Sequence, residues 1–307
     1  MNQGKVVAFP TETVYGVGAA AFDSQAVQEV FRIKKRPASN PLLVHISNIK
    51  QAEQVAGPIT TLASKLMEHF WPGPLSLILP AHNNIPALVT GGQSNVGLRM
   101  PSHPVAIMLI EGSGPLAATS ANLSGNFSPT TAQHVRDDLD GKIAALIDAG
   151  PTGIGIESTI IDLSNDLPKV LRLGGIAVEE IEETIGMKLD YLGANNEKPA
   201  NYHNLAKVIL SEDEDSFTSQ VNNLVKDNKK VGIVHNNYFP RHMIRNVYKE
   251  YELNLSQPGA ELFSLLRDAE YASLDVLVFA PWPDNLEGVN KALLDRINKA
   301  AGKSSTK

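Results

Sequence analysis

The stretch Lys5–Ile46, KVVAFPTETVYGVGAAAFDSQAVQEVFRIKKRPASNPLLVHI, decides the fold of the first part of the chain, because it holds a strand, a polar turn, a helix and a cationic loop in one unit. Val6 to Phe9 is a short apolar run that Pro10 ends, and it predicts a buried strand, since proline cannot donate to a β-ladder. Apolar residues then recur at helical spacing after Asp23 and Ser24, either of which can cap a helix. This order predicts a strand, a loop and a helix at the start of an α/β sheet.

Hydroxyl and carboxylate groups are concentrated in the turn after the first strand, which has the sequence PTETVYG. Open α/β sheets bind ligands beyond the ends of their strands, so this turn is a candidate binding site. A hydroxyl-rich turn without a ligand is the alternative. The polar side chains are those of Thr11, Glu12, Thr13 and Tyr15.

Four cations end the predicted helix, which is more than the helix dipole requires at a C-terminus. The segment therefore favours an anion as its ligand. The apolar run Leu42 to Ile46 predicts a second strand, and its His45, taken alone, is more often a satisfied core histidine than a functional one. The cations are Arg32, Lys34, Lys35 and Arg36.

Three later segments place polar or cationic groups beside apolar strands. Arg99 lies inside the strand pattern NVGLRMP, where a buried arginine needs either a ligand anion or a structural salt bridge. The loop TSANLSGNFSPT is rich in small hydrogen-bonding groups, which suits ribose or phosphate recognition but also an ordinary solvated turn. Ser158 precedes a predicted strand at 160–163, and Arg172 lies in the strand at 170–173 that completes a hairpin.

The segments between these motifs complete the pattern of an α/β domain. A helical pattern runs from Ile49 to Phe70, a strand is predicted at Leu75 to Leu79, a helix at Ala132 to Leu139, and a strand at Ile143 to Asp148. One GxG occurs at 153–155, but Ser158 stands where a dinucleotide fingerprint needs its third glycine. A Rossmann cofactor is therefore discounted in this segment.

Composition excludes several classes of function. The chain has 307 residues, 43% of them hydrophobic and 20% charged, which is typical of a globular protein with a sizeable core. Without cysteine it has no disulfide, thiolate metal site or cysteine nucleophile, and its scattered histidines favour no metal site. The net charge of -6 argues against coating of nucleic acid, although a local basic cleft remains compatible with a polyphosphate or an RNA. We predict a cytoplasmic location because no signal peptide or membrane-spanning run is present.

A change of composition divides the chain into two domains. Residues 186–204 are rich in Gly, Asn, Lys and Pro and lose hydrophobic periodicity, so they are predicted to be a linker. Residues 1–185 then form the first domain. In residues 205–307 strand and helix patterns alternate, which predicts a smaller α/β domain.

Seven motifs, in their order, resemble those of the threonylcarbamoyl-AMP synthases of the Sua5/YrdC/YciO family. They are PTETVYG, KKRPASNPLLVHI, WPGPLSLIL, VGLRMP, ATSANLSG, IESTIIDL and VLRLGG. The segments PGAELFSLLRDA and LEGVNKALLDRINKAA are similar to the C-terminal domain of the longer, Sua5-type members. The resemblance implies a YrdC-like twisted mixed sheet with helices, followed by a smaller Rossmann-like α/β C-terminal domain.

The same resemblance implies a reaction and its partners. L-threonine, bicarbonate and ATP would give threonylcarbamoyl-AMP, pyrophosphate and water, with Mg²⁺ carried mainly by the triphosphate. A separate transferase would place the threonylcarbamoyl group on a tRNA adenosine, and the chain itself would have possible contact with tRNA. Catalysis would come from positioning and from cations around the phosphates.

The family's site residues map onto positions of this chain, residue by residue. On the threonine side the resemblance implies Thr13, His45, Arg99, Ala118 and Ser158. On the nucleotide side it implies Lys34 and Arg36, which would also be catalytic, together with Asn40, Asn95, Ser120, Asn122, Ser128 and Arg172.

Two other functions are compatible with parts of this pattern. An RNA-binding module of the same fold, without synthase activity, would use the basic surface for RNA phosphates. A maturation factor that handles carbamoyl groups would need zinc-finger or acylphosphatase-like segments, which the sequence lacks. The linker departs from its PGMxYxHYAP-like counterpart in the family: it reads KPANYHNLAKV and matches at Pro199, Tyr202 and His203, so closure of the site by the linker is left open.

Overall fold

Two compact units make up the chain. The first comprises Met1–Ser124 with Ser128–Gly193, and the second comprises Gly125–Phe127 with Ala194–Lys307. All of the residues predicted for the site belong to the first unit. The computed structural model describes residues 1, 3–191, 202, 206–236, 244, 246–255, 260–283 and 287–302.

A mixed β-sheet is the centre of the first unit. Its strands are β1 (Val7–Phe9), β2 (Gly16–Ala20), β3 (Leu43–His45), β4 (Leu75–Pro80), β5 (Asn95–Arg99), β6 (Leu116–Ser120), β7 (Ala145–Leu146), β8 (Thr159–Asp162), β9 (Lys169–Arg172) and β10 (Asp190–Tyr191). They lie in the order β10-β9-β8-β4-β5-β3-β6-β2-β1-β7. Strand β3 pairs in parallel with β5 and antiparallel with β6, so the mixed character of the sheet is found at its middle.

Helices accompany this sheet, and the first of them begins where the sequence predicts. They are α1 (Ser24–Lys34), α2 (Ile49–Val55), α3 (Thr61–Phe70), α4 (Pro104–Ser113), α5 (Ala132–Leu139) and α6 (Val178–Ile185). The carboxylate of Asp23 caps α1 by accepting hydrogen bonds from the backbone amides of Gln25 and Ala26, both at 3.0 Å. Val27 and Val30 are buried in the core, which explains the helical spacing of the apolar residues.

The structure corrects two of the predicted elements. The helical pattern from Ile49 to Phe70 is two helices, because Gly57 and Pro58 interrupt it between α2 and α3. The predicted strand from Ile143 to Asp148 is only two residues long in the structure, as β7. This strand is at the edge of the described sheet and pairs there only with β1. The predicted hairpin of β8 and β9 is confirmed as an antiparallel pair with an irregular register.

Small residues bring β2 and β6 close together beside the predicted site. A Cβ at Gly18 would lie 2.6 Å from both the carbonyl oxygen of Ala117 and the Cβ of Ala118. Real Cβ atoms do not approach backbone this closely, so glycine is required at this position. The pairing of Gly18 with Ala118 holds the backbone of Ala118 in the sheet.

The second unit contains a separate parallel sheet. Its strands are β11 (Lys207–Leu210), β12 (Val231–Asn236), β13 (Lys249–Leu253) and β14 (Val276–Phe279), in the order β11-β14-β12-β13. The helices α7 (Glu214–Lys226), α8 (Ala260–Tyr271) and α9 (Val289–Ala300) alternate with or follow these strands, which is the arrangement expected of a Rossmann-like layer structure. A buried cluster that includes Phe217, Ile233 and Val278 forms the core.

Part of the predicted linker belongs to the first unit. Strand β10, at Asp190–Tyr191, pairs in parallel with β9 and extends the mixed sheet. Residues 192–201 and 203–205, which include Pro199 and His203, lie outside the described residues. Over the described ranges, the structure contains no helix with both the length and the apolar character needed to cross a membrane.

Candidate active site

The PTETVYG turn is held in a fixed shape by its own hydroxyl groups and by a later loop. The hydroxyl of Thr11 lies 2.8 Å from that of Thr13 and 2.6 Å from the carbonyl oxygen of Val14. The amides of Ile154 and Gly155 donate to the carbonyls of Glu12 and Thr13 at 2.8 and 2.9 Å. These bonds leave Thr13 fully buried and bring the 154–158 loop against the turn.

Arg99 lies at the end of β5 and reaches into this turn. Its Nη1 donates to the hydroxyl of Thr13 at 2.8 Å, and its Nε donates to the carbonyl of Gly73 at 3.3 Å. Its Nη2 lies 2.7 Å from Oε1 of Glu12, and the two side chains are only 4% and 13% exposed. The sequence left a ligand anion and a salt bridge open for this arginine; the structure contains the salt bridge, and a role in binding a carboxylate stays a prediction.

His45 is the neighbour of Arg99 in the sheet, since the two residues face each other in the parallel register of β3 and β5. Burial lowers the pKa of His45 to about 3, and the positive charge of Arg99 acts in the same direction. His45 is therefore neutral at physiological pH. A neutral imidazole can still donate or accept a hydrogen bond from a substrate.

The lowered pKa of His45 predicts a specific loss of stability in acid. In the unfolded chain a histidine titrates near pH ~6.5. Between that pH and about 3, the unfolded chain binds a proton that the folded chain does not bind, so stability falls as the pH falls. Between about pH 7 and about pH 5 we expect the wild type to lose roughly 2 kcal/mol more unfolding free energy than His45→Gln. Denaturant unfolding at the two pH values measures this difference.

A second histidine provides the control for this measurement. His82 is exposed, so His82→Gln removes a histidine without changing the buried cluster. If the wild type and His45→Gln showed the same dependence on pH, His45 would not be held neutral by its surroundings.

Ser158 and Arg172 form a second group, where the paired strands β8 and β9 lie beside β4. The hydroxyl of Ser158 lies 2.7 Å from that of Ser76, which is fully buried on β4. Nη2 of Arg172 donates to the carbonyl and the hydroxyl of Ser158 at 2.8 and 3.0 Å. The predicted threonine-side residue Ser158 is thus fixed by the predicted nucleotide-side residue Arg172.

Lys34, one of the four cations for which the sequence favoured an anion as ligand, is buried. Its Nζ donates to the carbonyl oxygens of Ser120 and Asn122, the latter at 2.6 Å, and Lys34 is 1% exposed. Burial lowers its pKa well below the usual value, and the nearby charge of Arg36 adds to this, whereas Asp138 opposes it. Lys34 therefore fixes the loop that carries Ser120 and Asn122, two further members of the predicted nucleotide set.

Arg36 orders a different loop from the same helix end. Its guanidinium donates to the carbonyl and the side-chain oxygen of Asn40, at 3.0 and 2.6 Å, and to the carbonyl of Pro41 at 2.8 Å. Lys35 takes a left-handed conformation at the C-cap of α1, with φ 52°. Arg32 is exposed and pairs with Glu29. The four cations of the sequence therefore have different surroundings.

The remaining predicted residues are placed as follows. Ser128 donates to the carboxylate of Glu157 at 2.6 Å. Ala118 lies opposite Leu43 in the middle of the sheet. Asn95 begins β5, four residues before Arg99 and hence about 13 Å away along an extended strand, and its nucleotide-side role stays a prediction.

Sequence reasoning missed three residues that contact the predicted site. Glu12 was recognised only as a polar member of the turn, and Ser76 and Glu157 were not singled out. Glu12 and Glu157 could have been found from the sequence, because each is a carboxylate within two residues of a hydroxyl predicted to bind a ligand. Ser76 had one weaker signal, a serine within the apolar run LSLIL.

Several buried polar atoms of the first group retain hydrogen-bonding capacity. Among the residues that the structure describes, both carboxylate oxygens of Glu12, Nη2 of Arg99 and Nδ1 of His45 have no hydrogen-bond partner. Buried polar groups are normally satisfied, so this cluster is suited to a small polar ligand. In the described part of the chain, histidine and carboxylate side chains form no group of three or more that could hold a metal ion.

Two family models together match almost the whole chain. The model for the Sua5, YciO and YrdC proteins, described as "Telomere recombination", matches residues 1–174. A model described as "Threonylcarbamoyl-AMP synthase, C-terminal domain" matches residues 176–302. The boundary between the two models lies close to the first residues of α6.

Curated relatives and solved structures agree with these models. A threonylcarbamoyl-AMP synthase of Bacillus subtilis is 40% identical over 98% of this chain and 91% of its own length. Its counterpart from Pyrococcus abyssi is 39% identical over 98% and 92%. The crystal structure of P. abyssi Sua5 complexed with L-threonine has a TM-score of 0.90 at 38% identity, and covers 98% of this chain and 91% of that one.

Proposed function

The chain belongs to the Sua5/YrdC/YciO family, and from this membership we propose how its own residues bind and activate the substrates of a threonylcarbamoyl-AMP synthase. The protein is such a synthase: it makes L-threonylcarbamoyladenylate from L-threonine, bicarbonate and ATP and releases pyrophosphate. Similarity along nearly the full chain to synthases of two organisms supports this activity. The observation that carries the residue assignment is the buried cluster of Thr13, His45 and Arg99, which retains hydrogen-bonding capacity.

Threonine is proposed to bind at this cluster. The guanidinium of Arg99 has further N–H donors beyond those used by Thr13 and Gly73, and a planar guanidinium suits a carboxylate. Neutral His45 and the hydroxyl of Thr13 would bind the polar atoms of the amino acid, together with the backbone of Ala118 and the hydroxyl of Ser158. The threonine complex of P. abyssi Sua5, a protein of very similar fold, supports a threonine site of this kind.

ATP is proposed to bind on the side of α1 and the loops that its last turn orders. Arg36 would face the phosphates with Asn40, while Lys34 would hold the backbone that presents Ser120 and Asn122. The other proposed nucleotide contacts are Asn95, Ser128 and Arg172. Mg²⁺ would arrive with ATP as part of the substrate, held mainly by the triphosphate.

The reaction needs little covalent chemistry from the protein. Threonine and bicarbonate form a carbamate, whose oxygen attacks the α-phosphate of ATP in line while pyrophosphate leaves. Holding the carbamate and the α-phosphate together replaces a bimolecular encounter, and fixed cations stabilise the charge that develops on the phosphates. We expect the proposed threonine and nucleotide sides to meet near β3, β5 and β6, which are adjacent strands.

The domains and partners are also proposals. Residues 1–185 would form the catalytic domain and residues 205–307 the Sua5-type C-terminal domain, joined by the linker 186–204. The enzyme would act in the cytoplasm and supply a separate tRNA threonylcarbamoyl transferase, with contact to tRNA possible through the basic loops. Because Lys34 is engaged inside the fold, the basic surface available for RNA is smaller than the sequence suggested, and this favours the synthase over an RNA-binding module.

A single assay tests the activity. The purified protein is incubated with ATP, Mg²⁺, L-threonine and labelled bicarbonate. We expect pyrophosphate and labelled threonylcarbamoyl-AMP, both dependent on threonine. Omission of threonine and its replacement by glycine provide the controls. Tight binding of tRNA without either product would instead support the RNA-binding function and contradict the synthase.

A further inference from the structure

Glu12 has an unusual position for a carboxylate, because it lies in a turn whose neighbouring residues Thr11 and Thr13 are buried. Both of its oxygens are buried, and the nearest cation, Nη2 of Arg99, lies 2.7 Å from Oε1. The pair is close, yet its angle is not that of a hydrogen bond, so both oxygens retain their acceptor capacity within the described residues. The neighbouring hydroxyl of Thr13 already accepts from Arg99. The carboxylate therefore lies in the cluster, and both of its oxygens can still accept hydrogen bonds.

On the basis of the proposed function, we propose that Glu12 is a catalytic residue whose carboxylate binds the α-ammonium group of threonine and accepts a proton from it. A free amino acid carries one positive and one negative group. Arg99 supplies the cation for its carboxylate, and the ammonium needs an anion close by. Among the described contacts of the cluster, Thr13 is a neutral hydroxyl and His45 a neutral imidazole, so Glu12 provides the negative charge.

The proton transfer accounts for a step that the reaction requires. An ammonium nitrogen has no lone pair and cannot attack bicarbonate. Transfer of one proton from R–NH₃⁺ to the Glu12 carboxylate gives R–NH₂ and a neutral carboxylic acid. The amine then forms the N–C bond with bicarbonate, and one amine hydrogen leaves with the hydroxyl as water: R–NH₂ + HCO₃⁻ gives R–NH–COO⁻ + H₂O. The proton on Glu12 passes to solvent before the next turnover.

A purely positioning role is the alternative, in which Glu12 only holds Arg99 in place. The two roles predict different results for Glu12→Gln, which keeps the size and hydrogen-bonding groups but removes the charge and the base. Arg99 on β5 pairs with this carboxylate, and His45 on β3 lies beside Arg99. Glu29→Gln is the matched control, because it removes a carboxylate that also pairs with an arginine but lies on the exposed face of α1.

The experiment combines turnover with binding. Threonine-dependent pyrophosphate release is measured at neutral and at alkaline pH. Calorimetry compares L-threonine with 2,3-dihydroxybutanoate, in which a hydroxyl replaces the amine. For Glu12→Gln we expect kcat to fall on the order of 100-fold at neutral pH, with a smaller loss in alkali, where more threonine arrives as the free amine. Its preference for threonine over the hydroxy analogue should fall by about tenfold or more.

Three results would overturn the proposal. They are a kcat for Glu12→Gln within about threefold of wild type, a loss of the same size at both pH values, and an unchanged preference for the ammonium-bearing ligand. Should Glu12→Gln not fold, Glu12→Asp is informative: it withdraws the carboxylate by one methylene, and a wild-type kcat in that variant would contradict a positioned base. Absence of turnover in the wild type would instead refute the proposed function, and the calorimetry would still report on Glu12.

Discussion

Arg99→Ala is expected to abolish detectable threonine binding and to lower the unfolding free energy by about 3–5 kcal/mol. The substitution removes the partner of a carboxylate that is only 13% exposed and leaves it uncompensated. It also removes the donors to Thr13 and Gly73, so the PTETVYG turn loses its link to β5. Calorimetry with L-threonine and denaturant unfolding measure the two effects, and we expect the affinity to fall by at least about 100-fold.

A double variant separates the two effects of Arg99. Glu12→Gln together with Arg99→Met removes both charges, and replacement of a buried ion pair by neutral groups of similar volume is often close to neutral for stability. We therefore expect the double variant to regain most of the stability lost in Arg99→Ala, while threonine binding stays absent. If threonine bound the stable double variant with wild-type affinity, Arg99 would have only a structural role.

The sequence predicted the order of the central elements because each of them carries a strong local signal. Asp23 before a periodic apolar run predicted α1, and Pro10 after a run of β-formers predicted the end of β1. The break between α2 and α3 was missed because the hydrophobic pattern continues on both sides of Gly57 and Pro58. Strand β7 was predicted too long because an apolar run at a sheet edge has a pairing partner on one side only.

Contacts between distant segments could not be predicted from the sequence, for a different reason. The ion pair of Glu12 with Arg99 and the hydroxyl pair of Ser76 with Ser158 each join residues more than 80 positions apart. No local pattern encodes such a separation. The motif resemblance indicated which residues to expect in a site. The structure shows which of them are in contact and which neighbouring side chains balance their charges.

Lys34, the last residue of α1, and Arg36, just beyond the helix, illustrate this limit. From sequence, Lys34 and Arg36 form one basic segment with a common task. In the structure Lys34 is buried and donates to the carbonyls of Ser120 and Asn122, whereas Arg36 is half-buried and donates to Asn40 and Pro41. A buried ammonium that holds backbone carbonyls shapes a loop. A half-buried guanidinium just beyond the helix is instead suited to a phosphate, because its planar fork matches the geometry of phosphate oxygens.

This difference predicts a large and selective effect for Arg36→Ala. The variant should lower kcat/KM for ATP by about 100- to 1,000-fold, because a positioned cation at a transferring phosphoryl group contributes several kcal/mol to transition-state stabilisation. Its stability should change by about 1 kcal/mol or less, since the side chain is half-buried and the loop that it orders lies at the surface. Steady-state kinetics with varied ATP, threonine calorimetry and denaturant unfolding measure the three quantities, and threonine affinity should be unchanged.

Arg32→Ala is the matched control. It tests whether Arg36 acts by contact with the phosphates or only adds to a general positive field. Arg32 lies four residues earlier, within α1, is 69% exposed at its side chain and pairs with Glu29. If Arg36 acts through contact with the phosphates, removal of Arg32 leaves kcat/KM close to the wild-type value, because an exposed charge is screened within about 10 Å at moderate salt. Equal losses in the two variants would mean that the end of α1 acts as a general positive field. In that case Arg36 would have no specific role at the α-phosphate.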